Sequence, residues 1–306
     1  MPPTATADLG SSTTKGRRVS KVFFYSPHPD DETLSMGLAM LYYIANGHDV
    51  HLVSMNSGGA LGVAYTLNGV NGSTGVAVAC GTPADHPYIH SPAREGYTAH
   101  TALSIGDARI LEARSALGMM AMVPPVTPGA SGTVTHHIAN LPDFYGNPGS
   151  TSSTAPVTPE GIASAKAAML PFVLDNPNSF HYTMSESDNH PDHASCGFAL
   201  RQIKAENPTA LGTPRFFVSR LYWALSQPDG HYPQKVLDAA NGTLGWFDYS
   251  GANYTTYANW LKNQVQDVYR TWNPAGGSFG IGYHQVSSQF TSNFGPSANV
   301  ANLWHA

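Results

Sequence analysis

Residues 20–37 read Ser-Lys-Val-Phe-Phe-Tyr-Ser-Pro-His-Pro-Asp-Asp-Glu-Thr-Leu-Ser-Met-Gly. Val22, Phe23, Phe24 and Tyr25 form a continuous apolar and aromatic run, the pattern of a strand buried in a parallel sheet. Pro27 and Pro29 stop it. Thr33 to Asn46 then carries apolar residues at helical spacing, Gly47 stands where a C′ glycine belongs, and Val50 to Met55 reads as a second strand. The unit is βαβ, which implies a parallel pair with a right-handed crossover and an α/β fold. Ligands in open α/β sheets bind outside the carboxyl ends of strands, so His28, Asp30 and Asp31 are delivered to the edge where sites are built. An imidazole and two carboxylates there point to a metal. A plain turn in which Asp30 or Asp31 caps the next helix accounts for the same residues.

A second cluster separates these readings. Residues 186–193, Glu-Ser-Asp-Asn-His-Pro-Asp-His, follow the apolar and aromatic run Phe180-His181-Tyr182-Thr183-Met184. Two His-Pro-Asp elements, each at a strand end, are hard to explain as unrelated turns. Catalytic zinc commonly takes three protein ligands and keeps one position open. His28 and Asp31, three apart across a turn, supply two ligands, and His193 supplies the third, leaving His190 to face substrate. This His₂-carboxylate set suits Zn2+, and Fe2+ would bind it too. Asp30 is then placed as the base that takes a proton from water, and His190 as a protonated imidazole that stabilises an oxyanion or donates to a leaving amine. Together they describe metal-assisted hydrolysis of an amide.

Composition narrows the remaining classes. The 306 residues are enough for one large α/β domain, and no linker divides them. We therefore expect a disordered Thr/Ser/Pro/Gly arm over 1–18 and a single domain over 19–306. Charged residues make up 11%, against about 25% in ordinary soluble domains, while hydrophobic residues at 42% still support a core, so long polar loops are expected rather than disorder. The net charge of −5 and the lack of a basic cluster beyond Lys15–Arg18 argue against nucleic acid as a partner. No run of about 18 apolar residues exists, so no membrane span is expected. Residues 1–18 lack the apolar core of a signal peptide, and the expectation is a cytoplasmic protein, with export left open. Cys80 and Cys196 show no disulfide spacing, and Cys196 reads as a buried thiol in a helix. His86, His90, His100, His136, His137, His231 and His305 show no ligand pattern.

Along the rest of the chain, residues 60–100 are too long for an ordinary connector and read as a lid or binding loop. Ile105 to Leu117 reads as a helix, Met119 to Val123 and Val134 to Leu141 as strands, and Thr158-Pro159 as the N-cap and N1 of a helix reaching about Leu174. Phe180 to Met184 is the strand that feeds the second cluster, with a helix over Ala194 to Glu206. Phe216 to Leu225 is β-prone, Tyr254 to Trp272 reads as an amphipathic helix, and the tail after Asn273 as irregular.

Ser-Pro-His-Pro-Asp-Asp-Glu-Thr-Leu (26–34) together with His-Pro-Asp-His (190–193) resembles the zinc-dependent LmbE-like or PIG-L deacetylase family. That resemblance implies a Rossmann-like three-layer fold and removal of acetyl groups from N-acetylglucosamine units of small glycoconjugates. By motif position it makes His28, Asp31 and His193 the zinc ligands, Asp30 the base and His190 the second-cluster histidine that is not a ligand. Arg109-Ile-Leu-Glu112 and Leu141-Pro142-Asp143 resemble two further family elements, which implies that Arg109 and Asp143 face sugar hydroxyls. The alternative for Arg109 and Glu112 is an i,i+3 helix pair worth about 0.2–0.5 kcal/mol. His284 through Gln289 resembles a C-terminal Ser-Gln element of the family.

The chain departs from the family pattern at Ser57-Gly58-Gly59, where an acidic residue is common, and at Asp188, where some members carry a tyrosine. The expected activity is de-N-acetylation of an amino-sugar unit in a small glycoconjugate or natural product, with aromatics such as Tyr65, Tyr88, Tyr97, Phe144, Tyr145 and Trp246 able to stack on a sugar or aglycone. The alternatives are an amidase for a bulkier acyl group and a carbohydrate- or metabolite-binding protein without turnover. Intact Asp30 and His190 argue against the last.

Overall fold

The computed structural model describes residues 20–59, 61–79, 89–126, 128–130, 132–219, 244–247, 252–294 and 302–305. The arm expected over 1–18 and most of 220–250 lie outside them, as do Cys80, His86 and Tyr88.

Strands β1 (Lys21–Ser26), β2 (Asp49–Asn56), β3 (Val134–Leu141), β4 (Phe180–Met184) and β5 (Arg215–Phe217) are all parallel and lie in the order β3-β2-β1-β4-β5. Strand β6 (Leu244–Phe247), the short pair β7 (Trp272–Asn273) and β8 (Ser278–Phe279), and β9 (Asn302–His305) follow, with β9 lying antiparallel between β5 and β6. Helices α1 (Asp31–Leu34), α2 (Gly37–Ala45), α3 (Leu61–Asn68), α4 (Pro92–Glu95), α5 (Ala102–Ala121), α6 (Pro159–Asp175) and α7 (Pro191–Glu206) connect the parallel strands.

Strand periodicity builds the three layers. In β1, Val22 and Phe24 face one core with Leu38 and Leu41 of α2, Leu117 and Met120 of α5, and Leu261 and Val265. Phe23 and Tyr25 face the other, with Met169 and Val173 of α6 and Leu200 and Ile203 of α7. A strand covered on both faces has no polar side to show, which is why its sequence is a continuous apolar run. Cys196 is a buried free thiol in α7, with the Tyr145 hydroxyl 2.8 Å from its Sγ.

Several elements differ from the sequence expectation. The helix expected over 33–46 starts at Asp31 and comes in two pieces, α1 wrapping the first cluster and α2 packing on the sheet, with Ser35 and Met36 between them. Residues 119–123 are not a strand, since α5 runs to Ala121; Met and Ala are strong helix formers, and that preference wins. Helix α7 starts at Pro191 rather than Ala194, so the second His-Pro-Asp is itself a helix start with proline at N1. The helix expected over 254–272 spans Ala252–Trp260, passes through a π turn at Leu261–Val265 and ends at Val268, while Trp272 pairs in β7. The tail is not irregular: Ile281–Phe294 is helical with a kink at Val286, because Tyr283 and Phe290, seven residues apart, stack on one face beside Tyr269. Within the 60–100 insertion, α3 and α4 are formed. Among the described residues no helix is long and apolar enough to cross a membrane.

Candidate active site

The order β3-β2-β1-β4-β5 reverses direction between β1 and β4, so the crevice outside their carboxyl ends is the topological switch point of the sheet. Both His-Pro-Asp clusters open there, and they meet. His28 Nδ1 lies 3.2 Å from Asp31 Oδ2 and 3.1 Å from His193 Nε2, and His193 Nε2 lies 3.1 Å from Asp31 Oδ2. Donor atoms bound about 2.0 Å from a tetrahedral zinc stand about 3.3 Å apart, so the triangle has the size of three zinc ligands.

The outward nitrogens of both histidines are also held. Asp188 Oδ2 lies 3.1 Å from His193 Nδ1, and Asp192 Oδ2 lies 3.1 Å from His28 Nε2. A carboxylate behind each imidazole fixes tautomer and ring orientation, the usual outer partner of a metal-binding histidine. Asp192 is held in turn by the side-chain amide of Asn56 and by the N–H of Gly146, 2.7 Å from its Oδ1. Gly146 is required at that approach, since a Cβ there would lie 2.2 Å from the Pro191 carbonyl carbon. Two further trios come within ligand reach, His28–His190–His193 and His28–Asp143–Asp192. The oxygens of Asp192 are already engaged, which disfavours the second trio, while the first lacks the closely placed carboxylate of Asp31.

Burial and charge set the protonation pattern. Burial opposes charge on His28, but hydrogen bonds to Asp192 and Asp31 raise it to about 9, and Asp31 and Asp188 likewise overcome burial to hold His193 well above the usual imidazole range. Burial would raise Asp31, yet His193 and His28 hold its carboxyl well below its ordinary value. The cluster of carboxylates thus holds positive charge at the two inward nitrogens, the charge a divalent cation would replace.

Asp30 lies against this triangle in a backbone conformation that few residues adopt, with φ 128°. Such strain costs about 1–3 kcal/mol and persists only where the surroundings enforce it. Here Glu32 Oε2 accepts the Asp30 N–H at 2.8 Å, and Arg109 Nη2 donates to Asp30 Oδ2 at 3.1 Å and to the Pro29 carbonyl at 2.9 Å. Arg109 Nη1 donates to the Gly58 carbonyl at 2.7 Å; Gly58 has φ 62°, and a Cβ there would lie 2.0 Å from that nitrogen. Burial raises Asp30 to about 6 against the lowering effect of Arg109. Glu32 is fully buried, also accepts from Tyr269 and Thr33, and is raised by burial to about 7.

His190 is the N-cap of α7, and its Nδ1 accepts the Asp192 N–H at 3.3 Å. Its proton therefore sits on Nε2. Burial first, then the neighbouring His28 and His193 charges, lower it to about 2, so it is a neutral donor and not the protonated imidazole the sequence suggested. Phe144, at φ 56°, stacks on the His190 ring at 5.8 Å. Asp143 is exposed and brings a carboxylate oxygen within 4.8 Å of His28 and Asp192 ligand atoms.

All seven residues singled out from the sequence are thus accounted for: six cluster at the switch point, and Arg109 is buried beneath it with three protein acceptors. Glu112 is not its helix partner but accepts the N–H groups of Ile281 and Gly282, at 2.8 and 3.3 Å. Sequence reasoning missed Asp188, Asp192 and Glu32. The rule that ligating histidines need an outer carboxylate would have found the first two, since both lie inside the second cluster.

A Rossmann-like α/β sheet with histidines and carboxylates converging at its switch point defines a protein with a built polar centre. The chain belongs to the PIG-L family, described as GlcNAc-PI de-N-acetylase, whose sequence model matches residues 23–204. No curated protein sequence matches the chain. Among solved structures, a deacetylase in complex with teicoplanin from the teicoplanin biosynthesis pathway is similar, with 13% identity and a TM-score of 0.51 over 94% of this chain and 97% of that one. The A40926 pseudoaglycone deacetylase Dbv21 is similar at 16% identity and a TM-score of 0.47, over 94% and 97%. The N,N'-diacetylchitobiose deacetylase of Pyrococcus horikoshii is similar at 11% identity and a TM-score of 0.43, over 94% and 83%.

Proposed function

We propose that this protein hydrolyses an N-acetyl group on an amino-sugar unit of a small glycoconjugate or natural product, using a Zn2+ ion held by His28, Asp31 and His193. The observation that carries this reading is the triangle of His28 Nδ1, Asp31 Oδ2 and His193 Nε2, 3.1–3.2 Å on a side, with Asp30 and His190 beside it. Membership of a family named for a de-N-acetylase supports the choice of acyl group and sugar. When bound, the ion would supply Lewis acidity and a more acidic water.

The chain's own groups supply the rest. Asp30, raised to about 6, is a carboxylate near neutral pH, and with Oδ2 held by Arg109 its Oδ1 takes the proton of the attacking water. As the new C–O bond forms, negative charge builds on the acetyl oxygen, and His190 Nε2–H donates to it. The C–N bond then breaks, the proton held by Asp30 passes to the departing amine, and acetate leaves. Asp143 at the mouth is the proposed sugar contact, and the Phe144 ring offers a face for a sugar or aglycone. Arg109 serves the reaction through Asp30, whose carboxylate it positions.

Acetate release from N-acetylglucosamine conjugates, set against longer acyl chains, tests the proposal. Acetate is expected from the wild-type chain, and Asp30→Asn is expected to keep its metal while losing about 10²–10⁴-fold in kcat. Faster release of a longer acyl group would make the protein a general amidase. No release of any acyl group would make it a binding protein.

A further inference from the structure

The structure assigns a second metal site to this chain, formed by His90 and His284 and sharing no residue with the His28–Asp31–His193 triangle. His90 is buried in the insertion between β2 and α5, just before α4, and its Nδ1 lies 3.1 Å from Glu95 Oε2. The other oxygen of Glu95 accepts the Ser91 N–H at 2.7 Å, so the carboxylate is fixed in place. His284 stands in the first turn of the helix Ile281–Phe294, with its Nδ1 2.7 Å from the carbonyl oxygen of Gly280.

These partners decide where the protons are. A carbonyl oxygen can only accept, so His284 carries its proton on Nδ1; a carboxylate likewise takes the Nδ1–H of His90. Each neutral ring then presents a bare lone pair on Nε2. The two Nε2 atoms lie 3.3 Å apart. Two lone pairs at that distance repel, and a cation between them turns the repulsion into binding.

The spacing matches two nitrogens on one tetrahedral ion, about 3.3 Å for bonds of about 2.0 Å. A carboxylate and a backbone carbonyl behind the rings are the outer partners that ligating histidines use. Trp272 stacks on His90 at 4.4 Å and walls one side. Imidazole pairs suit Zn2+, Cu2+ and Ni2+ rather than Mg2+ or Ca2+, and we take Zn2+ as the occupant. The ion clasps residues 89–95 of the insertion to a C-terminal helix whose first amides are held by Glu112 of α5. With two side-chain ligands it binds more weakly than a three-ligand centre. This site does not rest on the proposed hydrolysis.

Zinc content after equilibration and gel filtration tests the assignment in four full-length chains: wild type, His284→Gln, His193→Ala and the double variant. His284→Gln is expected to lose about one ion per chain in both the wild-type and the His193→Ala backgrounds. Unchanged zinc content in His284→Gln overturns the assignment and leaves the pair sharing a proton. A failure of the triangle to bind metal shows separately, as no loss on His193→Ala. Should His284→Gln fail to fold, Co2+ titration of the His193→Ala chain decides: saturable absorption of nitrogen-bound cobalt is expected, and its absence overturns the site.

Discussion

Arg109 Nη2 donates to Asp30 Oδ2 at 3.1 Å across a contact in which both side chains are buried, joining the middle of α5 to the loop that leaves β1. The same guanidinium holds the carbonyls of Pro29 and Gly58, three acceptors in a planar fork that a lysine ammonium cannot reproduce. Arg109→Met leaves a buried carboxylate without its partner and is expected to cost about 3–5 kcal/mol in urea unfolding. Because Arg109 lowers Asp30, its removal is also expected to move the acid limb of kcat/KM from about 6 to higher pH. A limb that stays in place would separate Arg109 from the base.

His190 is expected to act as a neutral donor. His190→Ala should lower kcat by about 10²–10³-fold with little change in KM, the pattern of a group that strengthens its bond only as charge develops. Its lowering to about 2 means that it stays uncharged across the working range, so the wild-type pH profile should show no limb from this imidazole near its ordinary value. A limb that disappears on His190→Ala would reverse that view.

Asp188 orients His193 from behind, and Asp188→Asn keeps an acceptor while removing its charge. Zinc affinity, read by competition with a chromophoric chelator, is expected to fall about 10–100-fold with the fold intact. Unchanged affinity would show that Asp188 plays no part in holding the ligand.

Glu112 gives a stability test free of the centre. Burial raises it to about 8, although the amides of Ile281 and Gly282 partly offset the burial. A carboxyl raised in the folded chain favours folding while it is protonated in both states, and that advantage is lost as pH climbs from the ordinary glutamate value of about 4.5 through about 8. Urea unfolding should therefore show the wild type losing stability relative to Glu112→Gln across that window, with no further change above it.

Much of the site was legible because it lies in two short motifs at strand ends, where proline, aspartate and histidine act locally. The strand of residues 21–26, the strand of residues 180–184 and the ligand trio follow from such local rules. The jobs of Arg109 and Glu112 were not legible. Both sit on one helix three residues apart, which suggests a pair, yet each is claimed by a different distant partner, Asp30 and the amides of Ile281 and Gly282. Glu32 reads as one more acidic residue in a helix start until Tyr269, 237 positions away, donates to it. The charge state of His190 likewise depends on burial and on neighbours from the other cluster. The helix of residues 281–294 escaped notice because its glycines and serines give no periodic signal, and only packing against Tyr269 reveals its apolar face.

His28 and His193 touch across 165 positions of chain. A ribosome releases the first half of the centre early, when His28 and Asp31 have no counterpart and β1 has no β4 beside it. The triangle comes into being in one event, when the middle of the sheet closes, and no fragment that stops short of α7 can hold it. The growing polypeptide therefore cannot carry a finished centre before most of its frame has been made.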